Sequence, residues 1–215
     1  MSAANGNSID SLVGRGFKTI VADPPWKQGL SGKYDNPKNR RPDRLPYPTM
    51  TLDEIKALPV GECAADGAHL WLWTTNAFLR HGFEVMDAWG FKYLAPVHWI
   101  KPSGTGNWFV HRTQTILFGY RKPCRMGDGR YSPNVIHATP KRHSEKPEEA
   151  FALIESVSPG PRLELFARRA REGWATIGNE SDGMDVKDSL ILLAQGKHPC
   201  YGIEKHGENR HEKDV

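Results

Sequence analysis

Two kinds of apolar segment alternate along the middle of the chain. The first kind is short and almost continuously apolar, as in residues 17–22 and 68–74, and is typical of strands buried on both faces of a sheet. The second kind repeats apolar side chains at helical spacing. A helix that ends near Gly90 is predicted by Phe78, Phe83, Val85, Met86 and Trp89. On the same grounds we predict further strands over 91–100, 113–120, 134–137, 162–167 and 174–178, and helices over 147–157 and 186–195.

Strands and helices that alternate in this way predict an α/β fold. Its expected architecture is a mostly parallel central sheet covered by helices on both faces. Thr51 and Glu54 form a capping-box pattern, which predicts that a short helix begins there. Open sheets of this class bind ligands at the carboxyl ends of their strands. Polar residues that directly follow a predicted strand are therefore the first candidates for a functional site.

The composition indicates one folded domain. Of the 215 residues, 38% are hydrophobic and 25% are charged, which excludes a disordered polymer. We expect a single catalytic domain over residues 1–196 and a polar tail over 197–215. The longest apolar runs are far shorter than the ~20 residues of a membrane span, and the N-terminus has no apolar signal segment. Three widely spaced cysteines suit a reducing compartment, so we expect an intracellular, cytoplasmic protein.

Positive charge is distributed unevenly, although the net charge is only +4. Segments 27–44 and 121–146 are rich in Gly, Pro and Asn, and together they hold thirteen lysines and arginines against four acids. Either segment alone would be typical of a solvated loop. Two such segments favour a surface that contacts phosphates. The nine histidines show no metal-ligand spacing, so no metal site is expected.

The strongest chemical signal is Asp23-Pro24-Pro25-Trp26, directly after the first predicted strand. The prolines fix φ and lack a backbone N–H, so their carbonyls form rigid acceptors beside the Asp23 carboxylate. A planar amine such as N6 of adenine is a poor nucleophile, because its lone pair is delocalised into the ring. Asp23 and the Pro24 carbonyl can accept both N–H hydrogens, while the Trp26 ring stacks on the base or walls its pocket. The alternative, a rigid turn at a strand exit, is outweighed by the strand before it and the basic loop after it.

Short motifs over most of the chain resemble one known family. They run in order from residue 17 to residue 180: DPPW (23–26), LPYPTM (45–50), LWLWTTN (70–76), WIK (99–101), TGNW (105–108), SEKP (144–147), SPG (158–160), LELFAR (163–168) and TIGNE (176–180). They resemble the N6-adenine methyltransferases named after the 70-kilodalton catalytic subunit of the mRNA adenosine methyltransferase. The resemblance implies a Rossmann-like methyltransferase fold and S-adenosylmethionine as cofactor. It also implies a permuted order, in which the catalytic motif precedes the cofactor-binding strand.

The resemblance assigns cofactor contacts residue by residue. Lys146 would bind the carboxylate of the methionine part, and Glu164 would accept hydrogen bonds from the ribose hydroxyls. The other positions implied to contact the cofactor are Asp23, Phe166, Arg168, Asn179 and Glu180. Taken alone, these residues also suit ordinary surface or turn positions. The chain departs from the family pattern at Ala167, where glycine is common, and at Ala170 and Arg171, which replace a histidine and an asparagine.

Substrate contacts are expected from both sides of the catalytic motif. Tyr47 is a candidate for lining the adenine pocket, although it suits packing against the sheet nearly as well. Lys27, His111 and Arg112 are candidates for contacting the substrate, the last two in a Gly-rich loop with Trp108. Because a base inside a duplex cannot be reached, the substrate would be single-stranded or have its adenine flipped out. Four other tryptophans are expected in the core: Trp71, Trp73, Trp89 and Trp99.

Together these features predict an S-adenosylmethionine-dependent methyltransferase that modifies N6 of adenine in nucleic acid, with DNA preferred over RNA. The compact chain suggests a bacterial or phage enzyme, while a homodimer or a partner subunit stays open. Two alternatives remain: a non-catalytic nucleic-acid-binding subunit of a methyltransferase complex, and a methyltransferase that acts on a protein amide nitrogen. The intact DPPW sequence argues against the first, and the basic loops argue against the second.

Overall fold

A computed structural model describes residues 16–27, 48–106, 108–124, 126–140 and 145–198. The strands are β1 (Phe17–Ala22), β2 (Ala64–Thr74), β3 (Lys92–Thr105), β4 (His111–Tyr120), β5 (Val135–His137), β6 (Arg162–Leu165) and β7 (Trp174–Ile177). The helices are α1 (Leu52–Lys56), α2 (Val60–Cys63), α3 (Leu79–Ala88), α4 (Glu148–Val157) and α5 (Val186–Ala194), with a 3-10 turn at Asp128–Tyr131. No helix in these ranges is long and apolar enough to cross a membrane. Most of the tail expected over 197–215 lies outside them, so the proposed division of the chain stays a prediction.

The seven described strands form one sheet in the order β5-β3-β4-β2-β1-β6-β7. Strand β4 is antiparallel to β2 and to β3, and the other four pairings are parallel. The prediction of a mostly parallel sheet is therefore confirmed. The carboxyl ends of β1, β2, β6 and β7 lie along the same edge, and β4 begins at that edge because it runs in the opposite direction.

Hydrophobic cores lie on both faces of the sheet, as expected for central strands that are apolar throughout. In β1, Ile20 and Ala22 face a core closed by α1, α2, α3 and α5, whereas Val21 faces a second core closed by α4. The tryptophans expected in the core are each 1–2% exposed, which confirms that expectation: Trp71, Trp73, Trp89 and Trp99.

Two local expectations meet different outcomes. The capping box before α1 is confirmed, since the Glu54 carboxylate accepts from the Thr51 N–H at 2.7 Å and the Glu54 N–H donates to the Thr51 hydroxyl. The loop expected around His111 and Arg112 is wrong, because both residues belong to β4 and His111 pairs with Thr105 of β3. The start of β4 could not be predicted from apolar residues, because its first residues are exposed and polar.

A buried polar cluster lies between β2 and the residues that follow β4 and α4. His69 is 2% exposed, and its ring nitrogens contact the Ser158 hydroxyl at 2.8 Å and the Cys124 sulfur at 2.9 Å. Trp71 Nε1–H donates to the same hydroxyl at 2.9 Å. Burial lowers the pKa of His69 to about 4, so the ring is neutral at pH 7.

We expect His69 to make folding sensitive to acid. Its pKa is depressed from 6.5 in the unfolded chain to about 4, so its contribution to stability is present above pH 6.5 and is lost as pH falls through 4. A shift of this size corresponds to about 3 kcal/mol. Urea unfolding of the wild type and of His69→Gln from pH 4 to pH 7 isolates this group, since the carboxylates titrate in both proteins. The wild type should lose stability relative to the variant as pH falls, and a pH-independent difference would contradict the assignment.

Candidate active site

The Asp23–Trp26 segment leaves the carboxyl end of β1 in a fixed conformation. The Trp26 N–H donates to the Pro24 carbonyl at 2.8 Å, and the Pro25 carbonyl accepts from the Met50 N–H at 2.9 Å. The Lys27 N–H donates in turn to the Met50 carbonyl at 3.0 Å. The Pro24 carbonyl thus uses one acceptor position within the turn and keeps a second lone pair for another donor.

Trp26 is more buried than a stacking platform should be. Its side chain belongs to the core, 7% of the residue is exposed, and its ring stacks on Phe78 at 5.4 Å between centroids. The indole N–H donates to the Trp73 carbonyl at 3.4 Å. The ring forms part of a cleft wall. The idea that it offers an open face to a base is therefore wrong, whereas its role as a wall of the pocket is compatible with this position.

Asp23 and Lys146 form an ion pair across the active edge of the sheet. Their Oδ2 and Nζ atoms are 2.7 Å apart, and the side chains are 35% and 11% exposed respectively. Lys146 Nζ also lies 5.0 Å from the centroid of the Trp73 ring, so an aromatic face and a carboxylate both stabilise this ammonium group. The pair brings together two residues that are 123 positions apart in the sequence.

Lys101 is a further cation of the same region. Its Nζ lies 4.6 Å from the centroid of the Trp99 ring. Burial lowers the pKa of Lys101, Lys146 lowers it further, and Asp23 acts in the opposite direction. Lys101 ends the WIK motif, but its sequence position alone predicts no role for it. The fold of β3 brings Lys101 close enough to Asp23 and Lys146 for their charges to affect its pKa.

Two clefts meet at this edge, with volumes of about 330 and 600 Å³. Both fall in the range usual for small-molecule sites, about 300–1,000 Å³. Five residues line both clefts: Asp23, Lys146, Phe166, Arg168 and Glu180. All five were predicted to contact a cofactor. The structure therefore brings them together, although their role in binding stays a prediction.

Glu164 lies on the wall of the smaller cleft, between the sheet and α4. Its partner in β1 is Val21, which faces the same core. Burial raises the pKa of Glu164 to about 7, and the Arg171 guanidinium, with Nε 3.8 Å from Oε2, partly opposes that effect. Arg171 also binds Glu148 at 2.7 Å, and its guanidinium lies 3.5 Å from the centroid of the Phe151 ring. Arg171, a departure from the family pattern, thus forms part of the cleft wall.

The turn after β6 requires close contact with the turn after β7. Phe166 has φ of +62°, a strained backbone conformation for a residue with a side chain. The Ala167 N–H donates to the Ile177 carbonyl at 2.9 Å. A Cβ at Gly178 would lie 2.6 Å from the Ala167 carbonyl oxygen, so the two turns meet only because this position is glycine. The contact explains why glycine stands at position 178, directly before Asn179.

Asn179 and Glu180 follow β7 and line the larger cleft. Glu180 and Arg168 approach to 3.9 Å. The loop is held by Asp182, whose Oδ1 accepts from the N–H groups of Gly178 and Met184 at 3.2 and 3.1 Å. Asp182 could not be identified from the sequence, because its hydrogen bonds form only in the folded loop.

The residues predicted to contact the substrate do not lie together, unlike those predicted to contact the cofactor. Lys27 is exposed just beyond the Asp23–Trp26 segment, and Tyr47 lies outside the described residues. His111 and Arg112 are exposed on the β3–β4 hairpin and line neither cleft. Gln114, three residues beyond His111, does line the larger one. The hairpin therefore begins at the cleft and extends away from it.

The groups around the two clefts fit S-adenosylmethionine. Lys146 and Asp23 place one cation and one anion side by side, which suits the amino-acid end of the cofactor. Glu164 and Glu180 supply carboxyl oxygens that can accept hydrogen bonds from hydroxyl groups. Among the described residues, no group of three His, Cys, Asp or Glu side chains could hold a metal ion.

We expect Glu164 to cost stability at alkaline pH. Its pKa is raised from 4.5 to about 7, so its neutral form stabilises the fold below pH 4.5 and that contribution is lost as pH rises through 7. Glu164→Gln should gain stability relative to the wild type by up to about 3 kcal/mol between pH 4.5 and pH 8. Thermal unfolding across this range measures the effect, with Glu172→Gln, an exposed acid in the same segment, as the control. If the stabilities of the wild type and Glu164→Gln changed with pH in the same way, Glu164 would not be a buried, neutral group.

Curated proteins of similar sequence are named as adenosine or adenine N6-methyltransferases. The chain is 31% identical over 205 residues to the N(6)-adenosine-methyltransferase MT-A70-like protein of Drosophila melanogaster, and 31% identical over 195 residues to the N(6)-adenosine-methyltransferase catalytic subunit METTL3 of Homo sapiens. These alignments cover 89% and 85% of this chain, but only 31% of each relative. The N(6)-adenine-specific methyltransferase METTL4 of Mus musculus is 28% identical over 206 residues, covering 85% of this chain and 41% of its own length.

This chain thus spans about a third of the length of the first two relatives. These three relatives are eukaryotic and do not support the expectation of a bacterial or phage enzyme. The MT-A70 family model matches residues 17–180, nearly the same span as the motifs identified in the sequence. The predicted resemblance is confirmed: the chain belongs to the MT-A70 family, methyltransferases that use S-adenosylmethionine as methyl donor.

Proposed function

We propose that this chain transfers a methyl group from S-adenosylmethionine to N6 of adenine in a nucleic acid. The observation that carries the proposal is the position of Asp23. Its carboxylate lies at the carboxyl end of β1, at the junction of two clefts, and is 35% exposed. An acceptor so placed can be reached from both clefts, by a cofactor and by a substrate amine.

The chain's own residues would act on the amine by positioning and polarising it. The Asp23 carboxylate would accept one amine hydrogen, and the remaining lone pair of the Pro24 carbonyl would accept the other. Both acceptors are fixed in advance, since the turn is closed by backbone bonds to Met50, so little ordering is left for the reaction itself. When bound, S-adenosylmethionine supplies an electrophilic methyl group on a sulfonium.

Lys146 has two tasks in this proposal. It would hold the carboxylate of the cofactor's methionine part, and its contact with Asp23 fixes the direction of the acidic side chain. Lysine suits both tasks because its compact ammonium group can donate up to three hydrogen bonds. Glu164, Phe166, Arg168, Asn179 and Glu180 would bind the rest of the cofactor.

DNA is our proposed substrate, with RNA as the alternative. The relatives' names include both a nucleoside and a base: METTL3 is an N(6)-adenosine-methyltransferase and METTL4 an N(6)-adenine-specific methyltransferase. Lys27, His111 and Arg112 supply exposed donors and positive charge on the side of the larger cleft, suited to contacts with the phosphate backbone. Such contacts are compatible with either polymer.

We expect Asp23→Ala and Asp23→Asn to lower methyl transfer by at least about 100-fold, because each removes a preorganised charged acceptor. Transfer of radiolabelled methyl groups to single- and double-stranded DNA and RNA oligonucleotides measures the rate, and nucleoside analysis identifies the product. Asp66→Ala is the matched control, since Asp66 forms an exposed ion pair with Lys122 at 2.8 Å away from both clefts.

Two results would refute the proposal. One is unchanged turnover in the folded Asp23 variants. The other is a wild-type protein that methylates a glutamine amide of a protein substrate and none of the four nucleic acids. The ratio of transfer to DNA and RNA tests the proposed preference independently of the Asp23 variants.

A further inference from the structure

The β3–β4 hairpin exposes a set of apolar side chains at its tip. Trp108, Phe109 and Val110 are 88%, 77% and 63% exposed. Soluble proteins expose single apolar residues often, but three adjacent ones, two of them aromatic, mark a surface for binding. We call these three residues the hairpin tip.

Contacts at the base of the β3–β4 hairpin hold the hairpin tip in place. Backbone pairing continues to Thr105 and His111, and the Arg112 Nε–H donates to the Lys101 carbonyl at 2.9 Å. A Cβ at Gly106 would collide with the Phe109 carbonyl oxygen, so the tight tip needs glycine there. His111 Nδ1 lies 2.8 Å from Asn76 Nδ2, which joins the hairpin to the loop after β2. The tip therefore has a defined position relative to the sheet.

That position is beside the larger cleft. Gln114 of β4 and Thr75, next to Asn76, both line the cleft. Val110 lies four positions before Gln114 in the sequence, which at ~3.3 Å per residue places the tip within about 13 Å of the cleft wall. A polymer with one residue in the cleft would continue past the hairpin tip.

The charge around the hairpin tip suits a polyanion. Arg112 is exposed two residues beyond the tip, and the sequence has no acidic residue between Lys101 and Asp128. Aromatic side chains stack on bases, and apolar wedges inserted between base pairs unstack them, while Lys and Arg bind the phosphates. A partner protein with an apolar pocket would explain the tip but not its place beside the cleft.

We propose that the hairpin tip is a wedge for double-helical nucleic acid. Trp108 and Phe109 insert between neighbouring bases and fill the space left when the target adenine moves into the larger cleft. This inference rests on the proposed function. It adds that the chain acts on paired substrates, and it gives the opening step its own residues, separate from those that act on the amine.

The test compares one duplex with its single strand, in DNA and in RNA. Trp108→Ala combined with Phe109→Ala should lower kcat/KM on the duplex by at least about tenfold, since aromatic–base stacking is worth about 1–3 kcal/mol per base. Transfer to the single strand should stay within about twofold of the wild type. A mismatch opposite the target adenine should restore much of the loss, because an unpaired base costs less to flip.

Control variants separate a wedge from a structural role. Trp108→Phe keeps an aromatic ring and should retain duplex activity. Leu94→Ala truncates another exposed apolar residue, 54% exposed at the opposite end of β3, and should change neither substrate. Thermal unfolding and sedimentation of each variant report on folding and on self-association.

A second readout needs no methyl transfer. When 2-aminopurine replaces the target adenine in the duplex, its fluorescence should rise on binding to the wild type and rise less with the double variant. Equal brightening, or equal loss of methylation on single strands and duplexes, would overturn the wedge. So would a dimer that dissociates in the double variant with loss of activity on both substrates. If the wild type methylates no nucleic acid at all, the proposed function fails, while the fluorescence still decides the wedge.

Discussion

The contact between Asp23 and Lys146 organises the active edge of this molecule. It joins the end of a central strand to the segment that leads into α4, at the point where the two clefts meet. A lysine that is 11% exposed loses much of its hydration, and a carboxylate at 2.7 Å together with the Trp73 ring compensates for that loss. In the proposed reaction the same carboxylate accepts a hydrogen bond from the substrate amine. The structure of this edge and the proposed chemistry therefore depend on one pair of charges.

Glu164 and Asp23 show how position distinguishes two acids of one site. Glu164 lies against the aromatic and apolar residues under α4, where burial favours its neutral form, and the negative charge of Asp23 adds to that effect. Asp23 stands at the open junction beside a cation. A cationic ligand in the smaller cleft would favour ionisation of Glu164, so its binding would release a proton near neutral pH.

The strands, most helices and the rigid turn after β1 could be predicted from the sequence, because each has a local cause. Continuous apolar runs specify β1 and β2, and Thr51 with Glu54 specifies the start of α1. Prediction failed where the cause is distant. The burial of Trp26 depends on Phe78, which lies 52 positions away in the sequence, and the wall formed by Arg171 depends on Phe151 and Glu148. The extent of the hairpin was missed for another reason: apolar patterns report burial, whereas backbone pairing continues into solvent.

The reversed direction of β4 has a consequence for how such a domain can change. Because β4 begins at the active edge, an insertion between β3 and β4 adds to the outer end of the hairpin and leaves the register of the buried strands untouched. The length of the β3–β4 hairpin can therefore change with little effect on the packing of the core. The Asp23–Trp26 turn cannot change length in this way, because backbone hydrogen bonds between this segment and Met50 fix its conformation. The segment that can change in length and the turn that cannot thus have separate places in the same sheet.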